Sequence, residues 1–249
     1  IVHFLARMKR GATAIPGRAV IVAALIIIIP LTALALSRAL IWADGVRLYE
    51  DIVRKSPEKA RARNNLGALY ATRGEFDKAI AEFQKSLTLP SDYPKPYKNL
   101  ARALYGKGDM SGAMREYRAA IGENPGDYQA HQALAFIYRE NGLYAESEKE
   151  YNIVLSLVPW NTTARVNLAN IYIVQERFAE AVTEFQKVLK MNPGRADVYF
   201  NLAIALESAG RTAEALYYYK KFLAEGPAEL SRYREKARAR VEELGLKER

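Results

Sequence analysis

The sequence predicts an all-α protein in which one transmembrane helix precedes an α-solenoid of helix-turn-helix repeats. Two observations predict this fold class. Leucine recurs every 34 residues from Leu66 to Leu202, and a fixed period of about 20–50 residues is the signature of a repeat protein. Residues 19–37, ahead of the repeats, contain no charged side chain, which is typical of a helix that crosses a bilayer.

The composition excludes most enzyme chemistry. The 249 residues include no Cys and only two His. The absence of Cys excludes disulfides, thiolate metal sites and cysteine nucleophiles, and two His leave little material for an imidazole-based metal site or acid–base catalyst. The sequence contains no phosphate-binding glycine-rich loop, serine nucleophile elbow or paired-carboxylate motif. We therefore expect no catalysis, no cofactor and no metal in this chain.

The net charge of +9 is concentrated near the N-terminus. Residues 1–59 carry nine Lys or Arg against four Asp or Glu, whereas residues 60–249 carry 28 against 24. The basic excess therefore surrounds the apolar stretch, which favours a membrane surface over nucleic acid as the partner.

The N-terminal residues are predicted to cross a membrane. Residues 1–18 combine the end of a preceding apolar helix, IVHFLA, with a basic loop that has four Lys or Arg and no acid. Short basic loops of this kind stay in the cytoplasm. Residues 19–42 then form the transmembrane helix, in which Pro30 introduces a kink and Trp42 lies at the headgroups. Because the chain begins with Ile1, we expect it to be a piece of a longer protein.

This interpretation places everything after residue 42 outside the cytoplasm, in the periplasm if the membrane is a bacterial inner membrane. The alternative is a cleaved signal peptide. Ala33-Leu34-Ala35 resembles a small-residue cleavage site, and Pro30 would end a short apolar segment. Both interpretations put the repeats on the same side of the membrane.

Several columns of equivalent residues define the repeats. The leucine column is Leu66, Leu100, Leu134, Leu168 and Leu202, and each leucine is followed by a small residue, namely Gly67, Ala101, Ala135, Ala169 and Ala203. Glycine stands where the first helix of a repeat must end, at Gly74, Gly108, Gly142 and Gly210, since glycine accepts the left-handed conformation there. Glu176 takes this place in the fourth repeat, so we expect its turn to close differently. Proline ends the repeats at Pro125, Pro159, Pro193 and Pro227, and one residue early at Pro90.

These columns resemble the tetratricopeptide repeat over residues 60–227. The resemblance implies a right-handed superhelix of paired helices, with repeats at 60–93, 94–127, 128–161, 162–195 and 196–227. We expect first helices near 60–73, 94–107, 128–141, 162–175 and 196–209, and second helices near 76–89, 110–123, 144–157, 178–191 and 212–225. Residues 43–59 are predicted to form a capping half-repeat, and residues 228–249 a C-terminal capping helix.

The resemblance also implies that the first helices line a concave, peptide-binding groove, which the second, fifth, sixth, ninth and twelfth positions of each repeat face. At the sixth position of the repeats stand Asn65, Asn99, Asn167 and Asn201, with Ala133 interrupting the series. This resembles the asparagine ladder of the O-GlcNAc transferase repeats, in which amides hold a peptide by its backbone. The alternative is that these residues only cap or pack locally.

Two further groups of groove candidates differ in chemistry. The basic candidates are Arg61, Lys95, Lys98 and Arg102. Lys98, Asn99 and Arg102 partly resemble the carboxylate clamp of chaperone-binding relatives, although Asn64 and Ala68 depart from it, and the alternative is that all are solvated charges. The apolar candidates are Phe136 and Phe200, with Val166, Ile173 and Ile204. His131, in the usual place of a large aromatic residue, is predicted to pack.

The leading hypothesis is a membrane-anchored scaffold that binds proteins or peptides in the groove without chemistry. In the alternative, the chain is the C-terminal part of a polytopic membrane glycosyltransferase, whose catalytic residues lie upstream and whose repeats present the acceptor polypeptide. An assembly factor for envelope or secretion machinery is a third hypothesis. The partners expected are therefore a membrane and protein or peptide ligands, with no nucleic acid.

Overall fold

The computed structural model describes residues 29–33, 44–91, 94–227 and 229–247. Residues 29–33 are helical, and the ranges after residue 43 form twelve helices and no strand. The helices are α1 (Gly45–Lys55), α2 (Ala60–Thr72), α3 (Phe76–Thr88), α4 (Tyr97–Lys107), α5 (Met110–Glu123), α6 (Tyr128–Glu140), α7 (Tyr144–Leu157), α8 (Thr162–Val174), α9 (Phe178–Met191), α10 (Ala196–Ser208), α11 (Thr212–Glu225) and α12 (Ser231–Lys247). The all-α prediction is confirmed for these ranges.

The predicted segments 1–18 and 19–42 lie outside the described residues, except for residues 29–33. Within that short stretch the side chains of Ile29 and Leu31 are exposed. Across the described ranges, no helix combines the length and the apolar character needed to cross a bilayer.

The predicted helix pairs are confirmed to within one residue at most boundaries. The exception is α4, which begins at Tyr97 rather than at residue 94. Pro96 precedes its first residue, and a proline keeps the residue before it out of the helical conformation. The helix therefore starts only after the second of the two prolines, Pro94 and Pro96.

The turns between paired helices have one backbone geometry, including the turn for which we predicted another. The glycines at this place have φ between 74° and 92°, and Glu176 has φ 60°. The N–H of Arg177 donates to the carbonyl of Tyr172 at 2.8 Å, as the N–H of Leu143 donates to that of Tyr138 at 2.9 Å. The prediction of a different closure was therefore wrong. The turn tolerates a left-handed glutamate, at a cost of about 1–2 kcal/mol.

The described helices divide into two compact regions, one ending at Pro94 and one beginning at Lys95. In the first region α2 packs between α1 and α3, with Leu66, Tyr70 and Phe83 buried. A Cβ atom at Gly67 would lie 2.8 Å from the Phe83 ring, so this pair of helices is in close contact. A small residue at this position therefore allows the two helices to approach closely.

In the second region, each second helix packs between the first helix of its own repeat and the first helix of the next. The leucine and small-residue columns form the core between them, at Leu100, Leu134, Leu168, Leu202, Ala101, Ala135, Ala169 and Ala203. The last helix, α12, packs on α11 as the first helix of a further repeat would. Its buried Ala237 lies 34 residues after Ala203, in the small-residue column.

The fourth position of the repeats joins the first helix to the second helix and to the preceding turn. Arg165 donates to the carboxylate of Glu184 at 2.7 Å and to the carbonyl of Pro159 at 2.9 Å. His131, which is buried as predicted, places its two ring nitrogens 2.5 Å from Glu150 Oε2 and 3.1 Å from the carbonyl oxygen of Pro125. Both of these partners are acceptors.

Candidate ligand-binding surface of the first helices

All candidate groove residues except Lys95, which precedes α4, lie on first helices, and these helices are neighbours in the second region. Helix α8 contacts both α6 and α10, and side-chain contacts join α4 to α6. The sides of these helices that do not face the core therefore follow one another along the array, and residues from different repeats can contact one ligand.

A row of partly exposed side chains crosses α4, α6 and α8. The ring of Tyr105 meets that of Phe136 edge-on, with centroids 6.1 Å apart. The guanidinium carbon of Arg139 lies 4.8 Å from the Phe136 ring centroid, and its Nη1 donates to the side-chain oxygen of Asn167 at 2.9 Å. We call Tyr105, Phe136, Arg139 and Asn167 the first-helix row.

The chemistry of this row suits a peptide. Aromatic faces bind apolar side chains and cations, and a guanidinium can pair with a carboxylate or a carbonyl. The side chain of Arg139 is 24% exposed, and it is held by Phe136, Asn167 and the adjacent Glu140. Since these contacts fix its orientation before a ligand arrives, less conformational entropy is lost on binding.

The asparagine series has local contacts at two of its four members. Asn65, which lies in the first compact region, donates to the Tyr49 hydroxyl at 3.0 Å and thereby joins α2 to α1. Asn167 accepts from Arg139. Asn99 and Asn201 are half-buried on α4 and α10. The ladder remains a prediction for these residues.

Two lysines of the basic group are engaged with acids of the same region. Lys95 contacts Glu123 at 3.1 Å, and Lys98 contacts Asp127 at 2.7 Å and Gln129 at 3.1 Å. The hydrogen bond to Glu123 raises the pKa of Lys95. Burial raises the pKa of Asp127, but hydrogen bonds from Lys98 and from backbone N–H groups outweigh it and leave this pKa below its ordinary value. The charge of Lys98 is therefore partly neutralised.

The other two basic candidates are both exposed. Arg61 lies on α2 in the first compact region and Arg102 on α4 in the second. Lys98, Asn99 and Arg102 therefore share one helix, as the resemblance to a clamp requires, but Lys98 is bound to Asp127. Among these three residues, Arg102 is the most exposed to solvent.

The apolar candidates differ in their accessibility. Phe136 is half-buried within the first-helix row. Phe200 is only 7% exposed, because the rings of Tyr219, Phe222 and Tyr233 pack around it with centroids 5.3–5.9 Å away. Tyr233 belongs to α12, so the last helix covers much of this candidate.

The sequence-based set did not include Tyr105 and Arg139. Both occupy the twelfth position of their repeats, one of the positions that the resemblance assigns to the groove. Reading every groove position, rather than the asparagine and basic columns alone, would have found them. No group of three or more His, Asp or Glu side chains that could hold a metal ion occurs in the part of the chain that the structure describes.

Comparison with known families identifies the repeat. A model of the tetratricopeptide repeat matches residues 31–94, 98–159 and 166–229, about three quarters of the chain. Among curated proteins, the Hsp70-Hsp90 organising protein of Plasmodium falciparum is 24% identical over 102 residues, which are 41% of this chain and 40% of that protein. This chain therefore matches less than half the length of that relative.

Several solved structures share the fold. The C-terminal part of a TPR repeat-containing protein from Cytophaga hutchinsonii has a TM-score of 0.71 at 17% identity, covering 79% of this chain and 80% of that one. YrrB, described as a TPR protein with an unusual peptide-binding site, has a TM-score of 0.64 at 18% identity, covering 73% and 94%. MamA has a TM-score of 0.63 at 20% identity, covering 68% and 92%.

Proposed function

Because this chain belongs to the tetratricopeptide repeat family, we propose that it is a scaffold that binds peptide segments of other proteins along its first helices. The observation that carries the proposal is the first-helix row. Three successive repeats place aromatic rings, a guanidinium and an amide in mutual contact, and these side chains remain partly open to solvent. A row that crosses repeats suits an extended segment better than a compact small molecule.

The exposed charge of α4 favours an acidic group on the ligand. Among the cations of this helix, Lys98 is paired with Asp127, whereas Arg102 is exposed. A segment with an acidic residue near α4 and apolar residues over α6 and α8 would complement this arrangement. The ligand class is thus an acidic and apolar peptide.

We also propose that residues 19–42 anchor the scaffold in a membrane, with the repeats outside the cytoplasm. The uncharged stretch 19–37 and the basic loop before it support this proposal. After an alkaline wash, the expressed chain should stay with the membrane fraction. Ile27→Arg should release it, because an arginine near the middle of a span costs about 3 kcal/mol. Thr13→Arg, in the basic loop before the proposed span, is the control.

Peptide selection tests the binding function. A random peptide library is panned on the detergent-solubilised chain, and the affinity of an enriched peptide is measured by fluorescence anisotropy. Arg139→Ala should weaken binding about tenfold, or about 1.4 kcal/mol, because it removes one pre-oriented group. Arg115→Ala is the matched control, since Arg115 is 70% exposed on the second helix α5. Failure to enrich any peptide contradicts the proposed function.

The same assay tests the asparagine ladder. Alanine replaces Asn65, Asn99, Asn167 and Asn201 together. If these amides bind the peptide backbone, affinity falls for every enriched sequence, since backbone recognition does not depend on side chains. A folded variant with unchanged affinity would restrict the binding surface to the first-helix row.

A further inference from the structure

A cleft of about 380 Å³ lies between α10 and α12. Phe200, Ile204 and Tyr219 contribute apolar surface, Ala239 lines the α12 side, and Lys236 and Arg240 are the lining cations. The volume is at the lower end of the range of about 300–1,000 Å³ that is typical of ligand pockets. Phe200 and Ile204 stand at groove positions of the fifth repeat, so the cleft continues the proposed binding surface of the first helices.

The α12 side of the cleft departs from the pattern of a first helix. Lys236 stands 34 residues after Leu202, at the position that holds leucine in the preceding five repeats. Those leucines are buried, but Lys236 is exposed, as is Ala239 on the next turn. A lysine keeps its ammonium in water, so Lys236 lines the cleft with a charged side chain instead of an apolar one.

Several contacts hold α12 in place beside the cleft. Arg234 donates to the carbonyls of Leu223 and Gly226, at 2.6 Å and 3.0 Å, and these carbonyls end α11. Arg240 pairs with Glu207 of α10. The Tyr219 hydroxyl donates to the same carboxylate at 2.9 Å, and burial raises the pKa of Tyr219 to about 12, so this hydroxyl keeps its proton near neutral pH.

The rim of the cleft has an uncompensated positive charge. The carboxylate of Glu207 is already engaged by Arg240 and Tyr219. Within the described ranges, no carboxylate lies within ion-pair distance of Lys236. The side chain of Lys236 therefore stands beside apolar surface as a solvated cation. A ligand that brings both an apolar group and a carboxylate complements this arrangement.

We propose that the α10–α12 cleft binds a peptide residue whose apolar side chain enters between Phe200, Ile204 and Ala239 while a neighbouring carboxylate pairs with Lys236. The inference rests on the proposed function and adds to it a second subsite, at the opposite end of the region from Arg102. The carboxylate is either the C-terminus of the peptide or the side chain of an acidic residue that follows the apolar residue. Both sources present a carboxylate to Lys236.

Three fluorescein-labelled probes separate these sources of the carboxylate. The first is Gly-Ser-Gly-Ser-Phe with a free C-terminus, the second is its C-terminal amide, and the third is Gly-Ser-Phe-Glu-Gly-Ser amide. Affinities for the full chain are measured by anisotropy. We expect the first or the third probe to bind about tenfold more tightly than the second, about the difference that one good ion pair makes. Equal affinity of all three probes overturns the proposal.

Two variants locate the binding. Ala239→Leu fills the cleft, and Lys236→Glu reverses the charge at its rim, so each should weaken binding of the preferred probe about tenfold or more. The matched controls are Ala213→Leu, at an exposed position of α11, and Arg232→Glu, on the exposed part of α12. Both controls should stay within about twofold of the wild type. Thermal unfolding followed by circular dichroism verifies that each variant is folded.

The outcomes separate this inference from the proposed function. If Arg139→Ala weakens the probe and the two cleft variants do not, the cleft proposal is overturned and the scaffold proposal stands. If no probe binds the wild-type chain, the cleft proposal is also overturned, and the library selection alone decides the scaffold proposal. Loss of binding in both cleft variants with folded, binding-competent controls supports the cleft.

Discussion

The third and fourth repeats, residues 128–161 and 162–195, meet the same structural requirements with different residues. At the fourth position, His131 and Arg165 each contact a glutamate of the second helix and a proline carbonyl of the preceding turn. At the turn between the helices, Gly142 and Glu176 both have positive φ. The comparison teaches that the repeat fixes the hydrogen bonds and the backbone angles, and not the residue that supplies them.

A third difference follows the turn directly. The fourth repeat has Arg177, which contacts Glu148 and Glu180 at 2.6 Å and stacks on the Tyr172 ring with its guanidinium carbon 4.2 Å from the centroid. The third repeat has Leu143 at the equivalent position, and this side chain is exposed. The two repeats therefore also differ in whether an ion-pair network ties their turn to the neighbouring helices.

The largest effect should come from the fourth position. His131→Phe keeps an aromatic ring at this position but removes both ring nitrogens, and with them the contacts to the Glu150 carboxylate and the Pro125 carbonyl. We expect a loss of about 2 kcal/mol in the free energy of unfolding, measured by urea denaturation. His131→Arg should restore the two contacts and recover most of this loss. A His131→Phe variant as stable as the wild type would mean that these contacts contribute nothing.

The next effect concerns the turn of the third repeat. Gly142→Glu gives this turn the residue that the fourth repeat has, and it should cost about 1–2 kcal/mol because glutamate is strained at positive φ. No side chain lies within 4 Å of the position of an added Cβ atom, so a steric clash does not contribute. The urea midpoint of this variant measures the cost. An unchanged midpoint would show that the turn imposes no conformational strain on non-glycine residues.

The reciprocal change should have a smaller, opposite effect. Glu176→Gly removes the strain in the fourth repeat but also increases the conformational freedom of the unfolded chain. We expect the relief of strain to exceed the cost of the added freedom in the unfolded chain, with a net gain of about 0.5 kcal/mol in the free energy of unfolding. Glu146→Gly, at a first-turn position in α7, is the control and should destabilise. If Glu176→Gly also destabilises, the strain attributed to this turn is too large.

The smallest effect is a change in pH dependence. The hydrogen bond from Arg177 lowers the pKa of Glu180 below its ordinary value of 4.5. A folded-state pKa that lies below the unfolded-state pKa stabilises the protein at pH values above the unfolded-state pKa. This stabilisation is lost as the pH falls through the folded-state pKa. Arg177→Leu makes the fourth repeat resemble the third, and it should flatten the acid limb of the curve of urea midpoint against pH below about 4.5. Arg232→Leu, which removes an exposed arginine of α12, should leave that limb unchanged.

The helices could be predicted from the sequence because their limits depend on local signals. Proline and glycine end helices wherever they stand, and the 34-residue period repeats those signals through the array. Where the prediction failed, a requirement of the backbone was stronger than residue preference. Glu176 takes the glycine conformation because the hydrogen bond from Arg177 to Tyr172 closes the turn in the fourth repeat as in the others.

The candidate surface was less predictable, because its properties depend on contacts between repeats. Lys98 could be assigned to the groove from its position, but its partner Asp127 lies 29 residues away at the start of the next first helix. Phe200 was taken as groove-lining, whereas Tyr233 of α12 covers part of its ring. The sequence analysis did not predict this contact, because it treated α12 only as a capping helix. It did not extend the 34-residue register from Ala203 to Ala237, which gives α12 the place of a further first helix.

The contacts that join one repeat to the next connect residues close together in the chain. Arg139 and Asn167 are 28 residues apart, and Arg240 and Glu207 are 33 apart. Chains dominated by such short separations fold quickly, since little loop-closure entropy precedes each contact. A growing chain completes each repeat's contacts to the one before it within a few tens of residues. The second region is therefore suited to folding progressively on the ribosome, repeat by repeat.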